Sequence, residues 1–258
     1  MPQPTRPYRV DLDHGPWAAL VGAGPGDPGL LTRRAADLLA AADVVLHDWL
    51  SGSEILELAR PDACLVDVGK GKGRGSSQRH IEQLLVAHHG EGSRVVRLKG
   101  GDPFLFGRGM EEVDAAHAAG FEVEVVPGVS SALAAPALAG IAVTERSVSA
   151  QVTVLSGHRV DGDNDWAALA RSPGTLVVLM AATTGAGVAA RLIAHGMAAM
   201  TPVAVVVDAG GRGQASLHTD LGRLAARVEP LPGPCVVVIG AVAARRPTVD
   251  RLVELVGA

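Results

Sequence analysis

The sequence has few aromatic residues, few cysteines and no long hydrophobic run. Aromatic residues make up 3% of the chain and the net charge is −4, which argues against a nucleic-acid-binding protein with a basic surface and stacking platforms. Gly, Pro or a charged residue interrupts every apolar stretch before it reaches the roughly 20 residues needed to span a bilayer. We therefore expect a soluble, cytoplasmic protein that binds neither nucleic acid nor membrane.

Cys64 and Cys235 are the two cysteines, and neither has a Cys or His neighbour at metal-ligand spacing. We expect two buried, reduced thiols and no metal site. The N-terminal segment, MPQPTRPYRVDLDHGPW, carries prolines and mixed charge without an apolar run. This composition is unlike a signal peptide or a membrane anchor and predicts a frayed leader.

The first half of the sequence alternates short β-branched runs with Ala/Leu-rich helical segments. Strands are expected at AALVGAG, VVLHD, CLVDVG, RVVRL and EVEVV, with helices at 31–42, 53–59, 77–89 and 109–119. A βαβ alternation of this kind predicts a largely parallel, five-stranded sheet flanked by helices.

The second half begins after a further helix at 129–139, where GIAVTERSVSA loses helical periodicity. New strands are expected at QVTVLSG, TLVVLMA, PVAVVVDA and PCVVVIG, with helices at 165–171, 185–195 and 220–228, while GRGQASLHTD indicates an antiparallel hairpin element. The fold class is therefore α/β with two domains, an N-terminal one at 17–143 and a C-terminal one with a mixed sheet at 150–258.

Loops rich in glycine, proline or charged residues follow the strands of the first half. The carboxyl ends of parallel strands, where these loops lie, form the ligand sites of open α/β sheets. The first such loop, GAGPGDPG, has Asp27 in place of the third glycine of G-x-G-x-x-G, and its two prolines lack backbone N–H donors. This disfavours a pyrophosphate site and favours a rigid loop against a neutral or cationic ligand. A plain strand-to-helix turn is the alternative.

The loop LKGGDPFLFGRG is denser in constrained residues. Gly100 and Gly101 would let a ligand approach the main chain, and Asp102 can hold a hydroxyl or a cation. Phe104 and Phe106 either belong to this site or anchor the helix that follows.

Lysine occurs only at Lys70, Lys72 and Lys99, all in loops at the expected ligand edge. Because lysine exchanges its proton and arginine effectively does not, lysines in an arginine-rich chain hint at chemistry, although a solvated lysine is the usual alternative. Asp48 ends an apolar strand and is either a site carboxylate or a helix-capping residue.

Positive charge is concentrated between residues 69 and 108, where eight cations stand against three anions, an excess of five in a chain of net charge −4. This local excess predicts an anionic partner. Solvated helix and strand faces are the alternative location for Arg79, Arg94 and Arg97. The candidate substrate-binding residues are Lys72, Arg74 and Arg108.

VGAGPGDPGLLT, HDWL, GKGKG, RLKGGDPFLFGRG, PGVSS and GIAVTER resemble, in order and spacing, the motifs of tetrapyrrole methylases, and most of all those of uroporphyrinogen-III C-methyltransferases. The resemblance covers about residues 18–244. It implies two α/β domains, usually in a homodimer, with S-adenosylmethionine folded into the cleft between them. The implied reaction methylates uroporphyrinogen III at C2 and C7 to precorrin-2, in siroheme or cobalamin biosynthesis, and releases S-adenosylhomocysteine.

The resemblance also implies roles for individual residues. Asp48 takes the position of a general base and Lys70 that of a proton donor. The implied contacts to the methyl donor are Pro25, Gly100, Gly101, Asp102, Leu105, Ser130, Ser131, Met180 and Ala209.

Four positions depart from the family pattern: His47, Gly71, Met110 and Glu145 stand where Tyr, Arg, Gly and His are commoner. Alternative functions are another precorrin C-methyltransferase of the same fold, a nucleotide-binding dehydrogenase, and a ligand-binding protein without activity. The additional N-terminal domain of fused siroheme synthases is not expected, nor are its dehydrogenase and chelatase activities.

Overall fold

The computed structural model describes residues 8–48, 52–69, 77–160, 162 and 164–245. The chain forms two compact units, Met1–Ser130 and Ser131–Ala258, each built around one sheet with helices. The predicted α/β class with two sheets is confirmed. The boundary between the two units falls after residue 130, earlier in the chain than the boundary expected near residues 143 to 150. The reason is that the helix after residue 130 packs on strands of the second sheet. The domain limits themselves stay a prediction.

The described residues of the first unit form five strands and four α-helices, each within a few residues of its predicted position. The strands are β1 Trp17–Gly22, β2 Val44–His47, β3 Cys64–Asp67, β4 Arg94–Lys99 and β5 Val123–Val126. The helices are α1 Arg33–Ala41, α2 Ser53–Leu56, α3 Gln78–Gly90 and α4 Gly109–Ala118.

All strand pairs of the first sheet are parallel, in the order β3-β2-β4-β1-β5. The chain leaves β1 through α1 toward β2, and leaves β4 through α4 toward β5 on the opposite side of β1. The neighbouring strands β1 and β4 therefore form a topological switch point, where ligands of open α/β sheets bind.

Separate apolar clusters cover the two faces of this sheet. One cluster includes Leu38 and Leu39 of α1, and the other includes Leu85 of α3 and Val113 of α4. Thr32 caps α1, its hydroxyl accepting a hydrogen bond from the N–H of Ala35 at 3.2 Å. The caps and the apolar stripes fix where each helix starts and which face it covers.

Within residues 8–16 of the N-terminal segment, Val10 is bound to the first sheet, whereas the sequence predicted a frayed leader. Val10 is buried, and its N–H donates to Glu124 of β5 at 2.8 Å. Arg34 donates to the carbonyl of Val10 at 2.9 Å and forms an ion pair with Glu124 at 2.6 Å. The buried carboxylate of Glu124 thus ties the leader to an edge strand; residues 1–7 lie outside the described part of the chain.

The second unit contains a mixed sheet in the order β6-β7-β10-β8-β9, as predicted. Only β6 and β7 pair in parallel, and β9 is the expected antiparallel element after β8. The strands are β6 Val152–Ser156, β7 Thr175–Leu179, β8 Pro202–Val207, β9 Ala215–Asp220 and β10 Cys235–Ile239. The helices are α5 Ser131–Leu138, α6 Trp166–Arg171, α7 Gly185–Ala194 and α8 Leu221–Ala225. In the described residues, none of the helices combines the length and the hydropathy that a bilayer crossing needs.

Asp43, directly before β2, accepts four hydrogen bonds. Its Oδ2 accepts from the backbone N–H and the Nε of Arg94, each at 2.9 Å, and its Oδ1 accepts from Arg94 at 2.7 Å and from Arg60 at 2.8 Å. The hydrogen bond from the Arg94 side chain is the main cause that lowers the pKa of Asp43 from 3.8 to about 2. This carboxylate joins the start of β4 to the turns before β2 and β3.

We expect the Asp43→Asn variant to be less stable than the wild type at neutral pH. Because the folded-state pKa is depressed, the contribution of Asp43 is fully present above its unfolded pKa and is lost as the pH falls through about 2. The difference in free energy of unfolding, measured by urea titration, should therefore shrink below about pH 4. Asp114→Asn, at an exposed position of α4, is the control; a difference that stays constant down to about pH 2.5 would contradict the assignment.

The two cysteines differ in exposure, so the prediction of two buried thiols was wrong for one of them. Cys64 is exposed on β3, an edge strand of the first sheet, whereas Cys235 is buried in β10. Burial raises the pKa of the Cys235 thiol to about 11.

We expect one thiol per chain to react with iodoacetamide in the native protein at about pH 8. Because the thiolate is the reactive species, Cys235 should react only after unfolding. Mass spectrometry of the alkylated peptides checks the assignment. The Cys64→Ser variant should remain unmodified until denaturant is added, and rapid native labelling of Cys235 would refute the prediction.

Candidate functional site

Main-chain hydrogen bonds join the loops after β1 and β4, at the carboxyl edge of the first sheet. The N–H of Gly24 donates to the carbonyl of Gly101 at 3.1 Å, and the N–H of Gly101 donates to the carbonyl of Gly24 at 2.7 Å. Gly101 has a φ of +67°, a conformation that disfavours a residue with a Cβ. The two glycine-rich motifs predicted from the sequence therefore meet at the switch point.

The loop after β5 packs against the same point. A Cβ on Gly128 would lie 2.2 Å from the carbonyl oxygen of Gly101, so only glycine fits. Asp102 reinforces this contact, since its carboxylate accepts from the N–H of Gly128 at 3.2 Å and from the N–H of Phe104 at 2.9 Å. Asp102 therefore holds the loops after β4 and β5 together.

The chemistry of these loops suits a neutral or cationic ligand. The carboxylate of Asp27 accepts from the N–H of Gly29 at 2.7 Å, so the β1 loop presents an acid where a pyrophosphate would need donors. Pro25 and Leu105 are half-buried beside the glycines. A glycine main chain, two carboxylates and apolar side chains fit a sulfonium-bearing ligand and disfavour a dinucleotide.

Asp48 follows β2, the strand next to β4, and is 29% exposed at its side chain. Its N–H donates to the carbonyl of Leu98 at 3.2 Å, and its Oδ1 accepts from Nη2 of Arg97 at 2.5 Å. The carboxylate is thus held by a strand-borne cation; α2 begins after Gly52, without a side-chain cap. The site-carboxylate interpretation fits this geometry better than the helix-cap alternative.

Behind Asp48 lies a buried ionic network. Arg97 of β4 is 2% exposed and Glu112 of α4 is 1% exposed. Glu112 Oε1 accepts from Arg97 Nε at 3.1 Å, from Lys99 Nζ at 2.9 Å and from Gln78 Nε2 at 3.3 Å. Burial and, secondly, the charge of Arg97 lower the pKa of Lys99. Among the described residues the network joins two cations to two anions, and Asp48 is the member that reaches the solvent.

This network corrects the charge interpretation made from the sequence. Arg97 is not on a solvated face, Lys99 is buried and does not line the edge, and Arg94 is paired with Asp43. Arg108, a candidate substrate-binding residue, is 51% exposed and bound to Glu111 at 2.6 Å. Much of the positive excess between residues 69 and 108 is therefore balanced by carboxylates from outside that segment.

The remaining candidates of the first unit fall into two groups. Phe104 and Phe106 are exposed, which argues against their being only core anchors. Lys70, Lys72, Arg74 and the departure Gly71 lie outside the described residues.

Met180 and Ala209 lie just beyond the carboxyl ends of two strands of the second sheet. Both follow strands, β7 and β8, that run in the same direction because β10 between them is antiparallel to each. Met180 has a φ of +57°, and Asp208, next to Ala209, has a φ of +47°. Non-glycine residues in this conformation are strained and cluster at functional sites, a signal that the sequence alone does not carry.

Ser130 and Ser131 stand at the division of the chain: Ser130 ends the first unit and Ser131 is the first residue of α5. Glu145, one of the four departures, forms an ion pair with Arg245 in the second unit. Sequence reasoning did not identify the roles of Arg97 and Glu112 in this site. The signal for Arg97 was a charged residue within the β-branched run RVVRL.

Comparison with known proteins gives concordant matches. The family model "Tetrapyrrole (Corrin/Porphyrin) Methylases" matches residues 19–225. Siroheme synthase 1 of Yersinia enterocolitica is 48% identical over 87% of this chain and 48% of its own length. Siroheme synthase 1 of Serratia proteamaculans is 50% identical over the same shares. The chain thus spans about half the length of these curated relatives.

Two solved structures match over most of both chains. Uroporphyrin-III C-methyltransferase of Thermus thermophilus, complexed with S-adenosylhomocysteine, is 39% identical, with a TM-score of 0.77 over 88% of this chain and 92% of that chain. A cobalt precorrin-4 methyltransferase, a cobalamin biosynthetic enzyme, is 27% identical, with a TM-score of 0.78 over 88% and 95%.

Proposed function

We propose that this chain, which belongs to the tetrapyrrole (corrin/porphyrin) methylase family, is an S-adenosylmethionine-dependent C-methyltransferase acting on uroporphyrinogen III. The observation that carries the proposal is the meeting of the two glycine-rich loops at the β1–β4 switch point, with Asp48 at the end of the neighbouring strand. The loops supply a site for the methyl donor, and Asp48 supplies a carboxylate for the carbon acceptor.

The methyl donor is S-adenosylmethionine, whose sulfonium makes the methyl group ready for displacement and leaves S-adenosylhomocysteine. The Thermus thermophilus structure holds this product, and the acidic, glycine-rich loops suit a cationic donor. In the first unit we assign its contacts to Pro25, Gly100, Gly101, Asp102, Leu105 and Ser130. In the second unit we assign them to Ser131, Met180 and Ala209.

Uroporphyrinogen III is favoured as the acceptor because two kinds of relative agree. The siroheme synthases are 48% and 50% identical to this chain, and the Thermus thermophilus enzyme is named for uroporphyrin III. The similarity to a cobalt precorrin-4 methyltransferase is lower in sequence but equal in fold, so a later precorrin is the second candidate. The product is proposed to be precorrin-2, methylated at C2 and C7, for siroheme or cobalamin.

The chain's own residues have three tasks in this reaction. The loops align the acceptor carbon with the donor and exclude water, a contribution that can reach about 7–11 kcal/mol. Each methyl group that the ring gains is balanced by one proton that the ring loses, and Asp48 accepts that proton. Lys70, the proton donor implied by the family resemblance, donates to the ring only where another ring position gives up a proton in exchange. Lys72, Arg74 and Arg108 bind carboxylates of the acceptor, which an exposed Arg108 can do by exchanging its partner Glu111.

Two further properties belong to the proposal. A homodimer in the cytoplasm fits the family resemblance and the absence of long apolar runs in the sequence. Analytical ultracentrifugation tests the oligomeric state.

Uroporphyrinogen III incubated with the enzyme and S-adenosylmethionine should gain first one and then two methyl groups, detected by mass spectrometry. Asp48→Asn should lower kcat about a hundredfold, in the range for loss of a general base, with little change in donor affinity. Asp67→Asn, at an exposed carboxylate that ends β3, is the matched control. Methylation of later precorrins but not of uroporphyrinogen III would support the second candidate.

Gly101→Ala should weaken S-adenosylhomocysteine binding at least about tenfold in calorimetry, because a Cβ at a positive φ displaces the paired loops. Gly120→Ala is the control: Gly120 lies in the turn after α4 with a φ of +90°, and a Cβ added there would meet no atom within 4 Å. Both variants should lose similar stability, but only Gly101→Ala should lose affinity. Equal affinities would show that Gly101 serves the turn alone.

A further inference from the structure

The network behind Asp48 contains a carboxylate that the proposed reaction does not use. Glu112 lies in the first turn of α4 and is 1% exposed, so it is not available to a dissolved substrate. Its Oε1 receives three hydrogen bonds, while its Oε2 is buried without a hydrogen-bond partner among the described residues. The ion pairs of this carboxylate are therefore directed toward the sheet, at Arg97 and Lys99, and its third hydrogen bond comes from Gln78 of α3.

Arg97 connects Glu112 to Asp48. Its Nε donates to Glu112 at 3.1 Å, its Nη2 donates to Asp48 at 2.5 Å, and its Nη1 donates to the carbonyls of Leu98 at 2.9 Å and Leu46 at 3.3 Å. A guanidinium is planar and its donors keep fixed directions. A partner on Nε therefore determines the direction in which Nη2 presents its proton to Asp48.

The charge balance explains why the network needs Glu112. Without it, the buried cations Arg97 and Lys99 would stand next to each other, and the partly exposed Asp48 would be the one counter-charge left in the network as the described residues form it. Breaking a buried ion pair by removing one partner is costly because the other charge stays buried. Arg97 would then be expected to shift toward solvent and take Asp48 with it.

We infer that Glu112 is a positioning residue that fixes the Arg97 guanidinium and, through it, the carboxylate of Asp48 at the acceptor site. This inference rests on the proposed function only for the role of Asp48, since the contacts themselves are independent of any substrate. Lys99 acts in the same network as the second cation that holds Glu112 in place.

The test is a double-mutant cycle on kcat. In the wild-type background, Glu112→Gln should lower kcat about tenfold to a hundredfold, as a displaced catalytic group does, and leave S-adenosylhomocysteine affinity within about twofold. In the Asp48→Asn background the same change should lower kcat by no more than about twofold, because residues acting as a unit are not additive. Equal effects in both backgrounds would overturn the inference.

The matched control is Glu124→Gln. Glu124 is also buried on the first sheet, at 3%, and also pairs with an arginine, Arg34 at 2.6 Å. Its loss should lower the denaturation midpoint without lowering kcat in the folded protein. If Glu124→Gln lowers kcat as much as Glu112→Gln does, the effect is general destabilisation and the positioning role is refuted.

A second variant keeps the test decisive if Glu112→Gln folds poorly. Lys99→Met together with Glu112→Leu removes one charge of each sign and leaves Arg97 paired with Asp48. This double variant should regain denaturation midpoint relative to Glu112→Leu alone, while kcat remains low because leucine offers Nε of Arg97 no acceptor. Recovery of kcat along with stability would overturn the inference.

A readout without turnover separates this inference from the proposed function. The Nε–H signal of Arg97 in a proton–nitrogen NMR spectrum, assigned with Arg97→Lys, should be protected from exchange in the wild type and lose protection in Glu112→Leu, which offers no acceptor. If the wild type methylates no tetrapyrrole, the proposed function fails while this signal still tests the contact. An unchanged signal in Glu112→Leu would refute the contact whatever the reaction is.

Discussion

The close approach of three strand ends at one edge of the first sheet constrains the rest of the site. The carbonyl of Gly101 pairs with Gly24 and lies where a Cβ on Gly128 would stand. Side chains are thereby excluded from the centre of this edge, which is formed by the main chain of these glycines. Groups that carry charge must lie to either side, as Asp48 does on the neighbouring strand, or beneath, as Arg97 does on the sheet face.

A buried ionic network is a costly way to hold one carboxylate, since desolvation of the charges offsets much of their attraction. Its advantage is orientation: Glu112 and the carbonyls of β2 and β4 hold the guanidinium of Arg97 in a single arrangement. A preorganised group needs no rearrangement when the reaction occurs. An apolar replacement for Glu112 and Lys99 would fill the same space but would leave Nε of Arg97 without an acceptor.

Local sequence patterns predicted the secondary structure well because each element has a clear period and clear ends. The run RVVRL, for example, became β4, and the helices expected at 31–42 and 77–89 begin one or two residues later, capped by Thr32 and Ser77. The sequence did not indicate which strands lie at the edges, so the exposure of Cys64 on β3 was missed. Met180 and Ala209 came from the family resemblance alone, since their backbone conformation and strand direction are properties of the folded sheet.

Charge counted along the chain was the least reliable guide, because the partners of a cation are chosen in space. Asp43 and Glu112 lie outside the segment of positive excess, yet they bind Arg94 and Arg97 within it. Exposed pairs such as Arg108 with Glu111 contribute little to stability, so Arg108 can exchange its partner for a carboxylate of an anionic substrate. Arg97 cannot do so, since it is 2% exposed and already pairs with both Glu112 and Asp48. Burial therefore divides the cations of one short segment into those that hold carboxylates within the fold, such as Arg97 with Asp48, and those that stay exposed, such as Arg108, the proposed contact to the acceptor.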